Sequence, residues 1–134
     1  MTAKIIYEGG LRTAAVHLKS GNQINTDAPT DNQGKGEAFS PTDLLATALG
    51  SCVLTIMGIA ARNHQIEMEG ATVEVNKTMA ADPRRVAKLE IFIQMPAQNY
   101  STKEKRILEK AAHGCPVAQS LHPDLEEIIE INWT

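Results

Sequence analysis

Aromatic residues are scarce in this 134-residue chain: Tyr7, Phe39, Phe92, Tyr100 and Trp133 are all there are. So few rings argue against a base-stacking nucleic-acid surface, and they leave the core to Leu, Ile, Val, Met and Ala. Excess positive charge is also missing. The formal net charge is −3, so bulk electrostatics favour neither nucleic acid nor an anionic membrane surface. Met1-Thr2-Ala3-Lys4-Ile5 runs straight into a strand-like pattern, without the long apolar region and cleavage site of a signal peptide. There are no internal repeats or low-complexity segments. Only two cysteines occur, Cys52 and Cys115, and in the cytoplasmic setting expected here they do not suggest a structural disulfide. The length suits a single domain over residues 1–134.

What the chain does have is one long uncharged run. Ser40 to Ala61 opens with Ser-Pro-Thr-Asp, a helix start in which Ser40 caps, Pro41 takes the first helical position and Asp43 is the capping-box acid. As a helix the run would be about 30 Å long. Thr47, Gly50, Ser51, Thr55 and Gly58 dilute its apolar character, and its flanks lack a Lys/Arg asymmetry, so a core helix is expected rather than a membrane span. A helix apolar nearly all round needs cover on every side. One sheet covers only one side, and Thr47, Ser51 and Thr55 make a strip of small side chains where a neighbouring helix could approach. A homodimer is therefore expected.

Around this helix the pattern is of short strands. Lys4–Glu8 and Arg12–Lys19 read as strands, with Gln23–Thr26 as a return after the Ser20-Gly21-Asn22 turn. Asp27–Phe39 is a loop, and its Gly34-Lys35-Gly36 lacks the spacing of a phosphate-binding loop. Ala71–Met79 and Val86–Met95 alternate as a hairpin across Asp82-Pro83-Arg84-Arg85, where the arginines read as a solvated turn. Ser101–Glu104 is a second capping box before a helix ending near His113-Gly114. Cys115-Pro116 opens a short helical turn through Leu121, and Glu127–Trp133 is the last strand. This order predicts an α+β protein with an antiparallel sheet.

The chemistry lies with the cysteines. Cys115, at a helix N-cap, faces unpaired N–H groups that favour thiolate. Cys52 sits mid-helix among Ala48, Leu49, Thr55, Ile56 and Ile59, and would need a cation from elsewhere to become reactive. A metal site could draw on Cys52, Cys115, His113, His17, His64 and His122, but no close-spaced pair matches a zinc pattern. Neither a metal nor a cofactor is expected.

Ser40-Pro41-Thr42-Asp43-Leu44-Leu45-Ala46, then Ala48-Leu49-Gly50-Ser51-Cys52, then a distant Cys115-Pro116-Val117 before a closing strand, resembles the OsmC/Ohr family, the osmotically inducible and organic-hydroperoxide-resistance thiol peroxidases. The resemblance covers essentially the whole chain. It implies an intertwined homodimer of curved antiparallel sheets around cysteine-bearing helices, and reduction of organic hydroperoxides in the cytoplasm. Cys52 would be the peroxidatic thiolate and Cys115 the resolving thiol, closing a Cys52–Cys115 disulfide that an external dithiol, protein or small thiol, reduces. Arg12 best matches the family's thiolate-stabilising arginine. The family's glutamate after the helix-start proline is replaced by Thr42, with Asp43 beside it and Glu37 upstream. Asp43 precedes Cys52 by nine residues on the same helix, roughly 13 Å along the axis, so it cannot touch that thiol and Glu37 is the better candidate. The displaced acid keeps a second reading open: a small-molecule-binding or redox-sensing dimer without efficient peroxidase activity.

Overall fold

Six strands and three α-helices follow one another in the order β1 (Ala3–Gly9), β2 (Arg12–His17), β3 (Gln23–Asp27), α1 (Pro41–Asn63), β4 (Thr72–Ala80), β5 (Arg85–Gln94), α2 (Thr102–Ala112), α3 (Pro116–Gln119) and β6 (Glu126–Asn132). The computed structural model describes residues 1–134, which form two compact units, 1–45 and 46–134.

In the first unit β1, β2 and β3 make an antiparallel sheet in that order. Gly9, Gly10 and Leu11 turn β1 into β2 with positive φ (84°, 61° and 62°), a conformation glycine adopts without strain. A single turn of 3₁₀ helix, Thr30–Asn32, lies in the connection to α1. Every residue of β1 is exposed, including Ile5, Ile6 and Tyr7.

In the second unit β4, β5 and β6 form a three-stranded sheet. The expected hairpin is present: β4 and β5 are antiparallel from Thr72 opposite Gln94 to Ala80 opposite Arg85. A bulge at Thr78/Met79 shifts the alternation, which is why Val86 and Leu89 are both buried although three residues apart. The last strand departs from the antiparallel expectation. β6 runs parallel to β5, Lys88 opposite Glu126 through Gln94 opposite Asn132, so the chain crosses over through α2 and α3. A parallel neighbour requires such a crossover. The α+β class stands, with two sheets instead of one.

α1 buries a stripe at helical spacing: Ala46, Leu49, Gly50, Val53, Met57 and Ala61. Gly50 sets how closely this stripe meets the sheet. A Cβ there would lie 2.7 Å from Val75 Cγ2, so only glycine lets the helix approach β4 this far. Leu49, Val53, Met57, Leu89, Ile91, Ile93, Met95, Leu108 and Ala112 are the most buried apolar side chains of the core. α1 is long and apolar enough to span a membrane by length and composition, with a mean hydropathy of 2.1 over its best window. Its packing on β4 is that of a core helix. Thr47, Ala48, Ser51, Thr55 and Ile59, on its other face, are exposed.

Candidate active site

The start of α1 forms as its sequence dictates. The Asp43 N–H donates to Ser40 Oγ at 3.0 Å, and the Ser40 N–H donates to Asp43 Oδ2 at 3.0 Å. Asp43 therefore serves as the reciprocal cap, with aspartate doing what glutamate usually does at this position. Thr42 Oγ1 lies 3.2 Å from Ser40 Oγ. Cys52 follows in the middle of α1, half-buried, beside the fully buried Val53.

Cys115 arrives from the other end of the crossover. α2 begins with the predicted capping box between Ser101 and Glu104 and ends at His113. Gly114 donates its N–H to Ala111 O at 3.0 Å, and Cys115 becomes the N-cap of α3 with Pro116 in the first turn. The Cys115 side chain is completely buried. Both thiols are free, and Cys115 is close enough to Cys52 for the neighbouring sulfur to contribute to its pKa shift.

Burial reverses the sequence expectation for Cys115. Its pKa is raised, first by burial and second by the neighbouring Cys52 sulfur, while the Val117 and Ala118 N–H groups pull it down less strongly. A helix of one turn offers too little to offset removal from water. Burial and the neighbouring Cys52 thus favour the protonated thiol at Cys115.

Arg12 and Glu37 belong to the first unit, and they come together around a residue that sequence reasoning passed over. Asp27, buried at 1% exposure, accepts Arg12 Nε at 2.7 Å through Oδ1 and Arg12 Nη2 at 2.8 Å through Oδ2. Oδ2 also accepts the Glu37 N–H at 3.1 Å. The Glu37 carboxylate reaches Arg12 Nη2 only at 3.5 Å. Arg12 holds the Asp27 carboxyl below its usual range through this hydrogen bond, and raises its own pKa in return. The signal was present in the sequence. Following the Ser20–Asn22 turn through the hairpin sets Arg12 directly opposite Asp27, an oppositely charged cross-strand pair.

A carboxyl whose pKa is lower in the folded state contributes stability above its unfolded value and loses it as pH falls. The Arg12–Asp27 contribution is thus expected in full above about pH 4 and to fade below it as Asp27 protonates. Urea midpoints at pH 7 and pH 3 should fall less between the two for Asp27→Asn than for wild type. Equal falls would show that Asp27 is not the group responsible.

A family model described as "OsmC-like protein" matches residues 34–128. The chain belongs to the OsmC-like family. A crystal structure of a proposed osmotic stress induced and detoxification response protein from Psychrobacter arcticus 273-4 is 55% identical, with a TM-score of 0.94 over 98% of this chain and 96% of that one. Two organic hydroperoxide resistance proteins share the OsmC-like fold at 15% identity and TM-scores of 0.77. The Legionella pneumophila structure, also named OsmC, covers 98% of this chain and 97% of that one, and the Elizabethkingia anophelis structure 100% and 97%. No curated protein sequence matches the chain. In this member of the OsmC-like family the region matched holds both cysteines.

Proposed function

We propose that this OsmC-like protein is a thiol-dependent peroxidase that reduces organic hydroperoxides, with Cys52 as attacking thiolate and Cys115 as resolving thiol. The observation that carries the reading is the neighbourhood of two free thiols, a half-buried Cys52 and a buried Cys115 whose pKa is raised by burial and by Cys52. A peroxide can reach the first sulfur, and the second waits beside it.

The steps balance as follows. Cys52 sulfur attacks a peroxide oxygen; the S–O bond forms, the O–O bond breaks, and the alkoxide takes a proton and leaves as alcohol. Sulfur has lost two electrons and is a sulfenic acid. Cys115 sulfur then attacks Cys52 sulfur; the S–S bond forms, and the hydroxide departs with the Cys115 proton as water. An external dithiol, protein or small molecule, supplies two electrons and two protons by exchange and becomes a disulfide. The half-buried Ile56, one turn beyond Cys52 on α1, suits an alkyl hydroperoxide better than strongly hydrated hydrogen peroxide. The family resemblance adds Arg12, with Glu37, as support for the Cys52 thiolate. The test is one equivalent of cumene hydroperoxide on the reduced protein. An intramolecular Cys52–Cys115 disulfide by mass spectrometry is expected, and oxidation of neither cysteine faster than a free thiol would overturn the proposal.

The working unit is a homodimer in the cytoplasm, where a reducing medium keeps both thiols free. Support comes from the exposed apolar side chains Ile5, Ile6, Tyr7 and Ile59, and from the uncovered strip Thr47, Ser51 and Thr55. Light scattering at micromolar concentration should give twice the chain mass, and Ile59→Glu should shift it toward one chain. A wild-type monomer would contradict the dimer.

One observation favours the second reading, a redox-sensing or small-molecule-binding dimer: Asp27 already occupies two donors of Arg12. A sensor would form the disulfide once but would not consume hydroperoxide repeatedly in the presence of dithiothreitol.

A further inference from the structure

Two of the five aromatic side chains, Tyr100 and the lone tryptophan Trp133, meet edge to face with ring centroids 5.3 Å apart. They wall a cavity of about 580 Å³ between the loop after β5, the first turn of α2 and the end of β6. Neither cysteine lines it. Small-molecule sites take this form, with a volume of about 300–1,000 Å³, aromatic walls and a few polar groups. The walls are held in place. Tyr100 Oη donates to the Glu67 carbonyl at 2.7 Å and Gln98 Nε2 donates to the same oxygen, which pins the loop. On the opposite wall Gln94 Nε2 donates to Thr134 O at 2.7 Å, tying the residues after β6 back to β5.

The charge in the wall indicates the ligand. Lys105 is half-buried, and its ammonium lies over the Trp133 ring, 5.7 Å from the centroid. No carboxylate bridges to it: Glu104 is engaged in the capping box, and Glu109, one turn on, forms no ion pair with it. Attraction to the indole orients the ammonium but leaves its charge uncompensated and its N–H donors short of acceptors. The Tyr100 hydroxyl is already spent on Glu67. A bare anion would gain little here, because one lysine does not repay the cost of taking it out of water. A ring beside the anion adds apolar area against the indole.

We propose that this cavity binds a carboxylate carried on a flat apolar body, such as an aryl-alkanoic acid. Lys105 takes the carboxylate, and Trp133 with Ala97 takes the ring. The inference is independent of the thiol chemistry and holds whether or not hydroperoxide is turned over.

Because Trp133 is the only tryptophan, its fluorescence reports occupancy of the cavity directly. The reduced full chain is titrated at neutral pH with hydrocinnamate, with its neutral amide and with acetate. Hydrocinnamate is expected to change the Trp133 emission saturably, in the millimolar range or tighter for a ligand of this size. The amide should bind about tenfold more weakly or worse, the worth of one charge-assisted hydrogen bond. Acetate should not saturate. Lys105→Gln should weaken hydrocinnamate by a similar factor and leave the amide unchanged. The comparison of acid with amide needs no variant, so it decides the matter even if Lys105→Gln does not fold. Absence of a saturable response to hydrocinnamate, equal affinity for acid and amide, or acetate binding as tightly as hydrocinnamate would overturn the inference. So would wild-type affinity in folded Lys105→Gln, which would reduce Lys105 to a cover for the indole.

Discussion

Cys52→Ser is expected to abolish catalytic consumption of cumene hydroperoxide in the presence of dithiothreitol, whereas Cys115→Ser should retain a first turnover. A serine hydroxyl carries no low-lying anion at neutral pH, and a nucleophile's removal typically costs about 10³-fold or more when nothing else can form the bond. The structure gives the variants different signatures. Without Cys52, the remaining thiol is buried and held protonated, so it is a poor substitute. Without Cys115, the half-buried Cys52 is still reachable, and oxidation should stop at the sulfenic acid, which dimedone traps. Should Cys52→Ser turn over hydroperoxide at the wild-type rate, the assignment of roles is wrong. Should Cys115→Ser do so, resolution does not pass through Cys115.

Gly50→Val is expected to be the most damaging small substitution in α1. Its Cβ would fall 2.7 Å from Val75 Cγ2 and 3.5 Å from Val73 Cγ1, and the two added methyls would enter the same seam between α1 and β4. Overpacking of this kind costs about 1–3 kcal/mol. The gain in helix propensity on replacing glycine is below about 1 kcal/mol and does not offset it. Gly58 on the same helix is a useful contrast, since a Cβ there meets nothing within 4 Å of the chain. Urea denaturation should show a lower midpoint for Gly50→Val than for Gly58→Ala. Because Cys52 lies two residues beyond Gly50, oxidation by hydroperoxide should also slow in Gly50→Val. An unchanged midpoint would mean that helix and sheet part more readily than their contact suggests.

The parts legible in the sequence were those decided by neighbours along the chain. Ser40 and Asp43, and Ser101 and Glu104, form their capping boxes as read, because such bonds close within one turn. The alternation of Leu89, Ile91, Ile93 and Met95 gave the buried face of β5 for the same local reason. What escaped was decided at a distance. Ile129 and Ile131 alternate alike in a parallel or an antiparallel strand, so the direction of β6 was not encoded in its own pattern. The cap position of Cys115 is local and favours thiolate, while burial and a thiol over sixty residues away in sequence raise its pKa. Asp27 reads as a loop residue from its neighbours in sequence, because its place at the end of β3 depends on pairing with Arg12 across the hairpin.

The crossover between β5 and β6 also has a consequence for how the chain acquires its redox chemistry during synthesis. Cys115 sits within residues 95–125, a segment held at both ends by the sheet only once β6 has zipped alongside β5. A ribosome exposes Cys52 and the β4–β5 hairpin first, and the parallel strand that closes the loop emerges last. A nascent chain therefore carries both sulfurs before it has the means to hold them as neighbours. A chain cut after residue 125 should keep every thiol yet form the internal disulfide slowly, so the final strand acts as the timer that arms the pair.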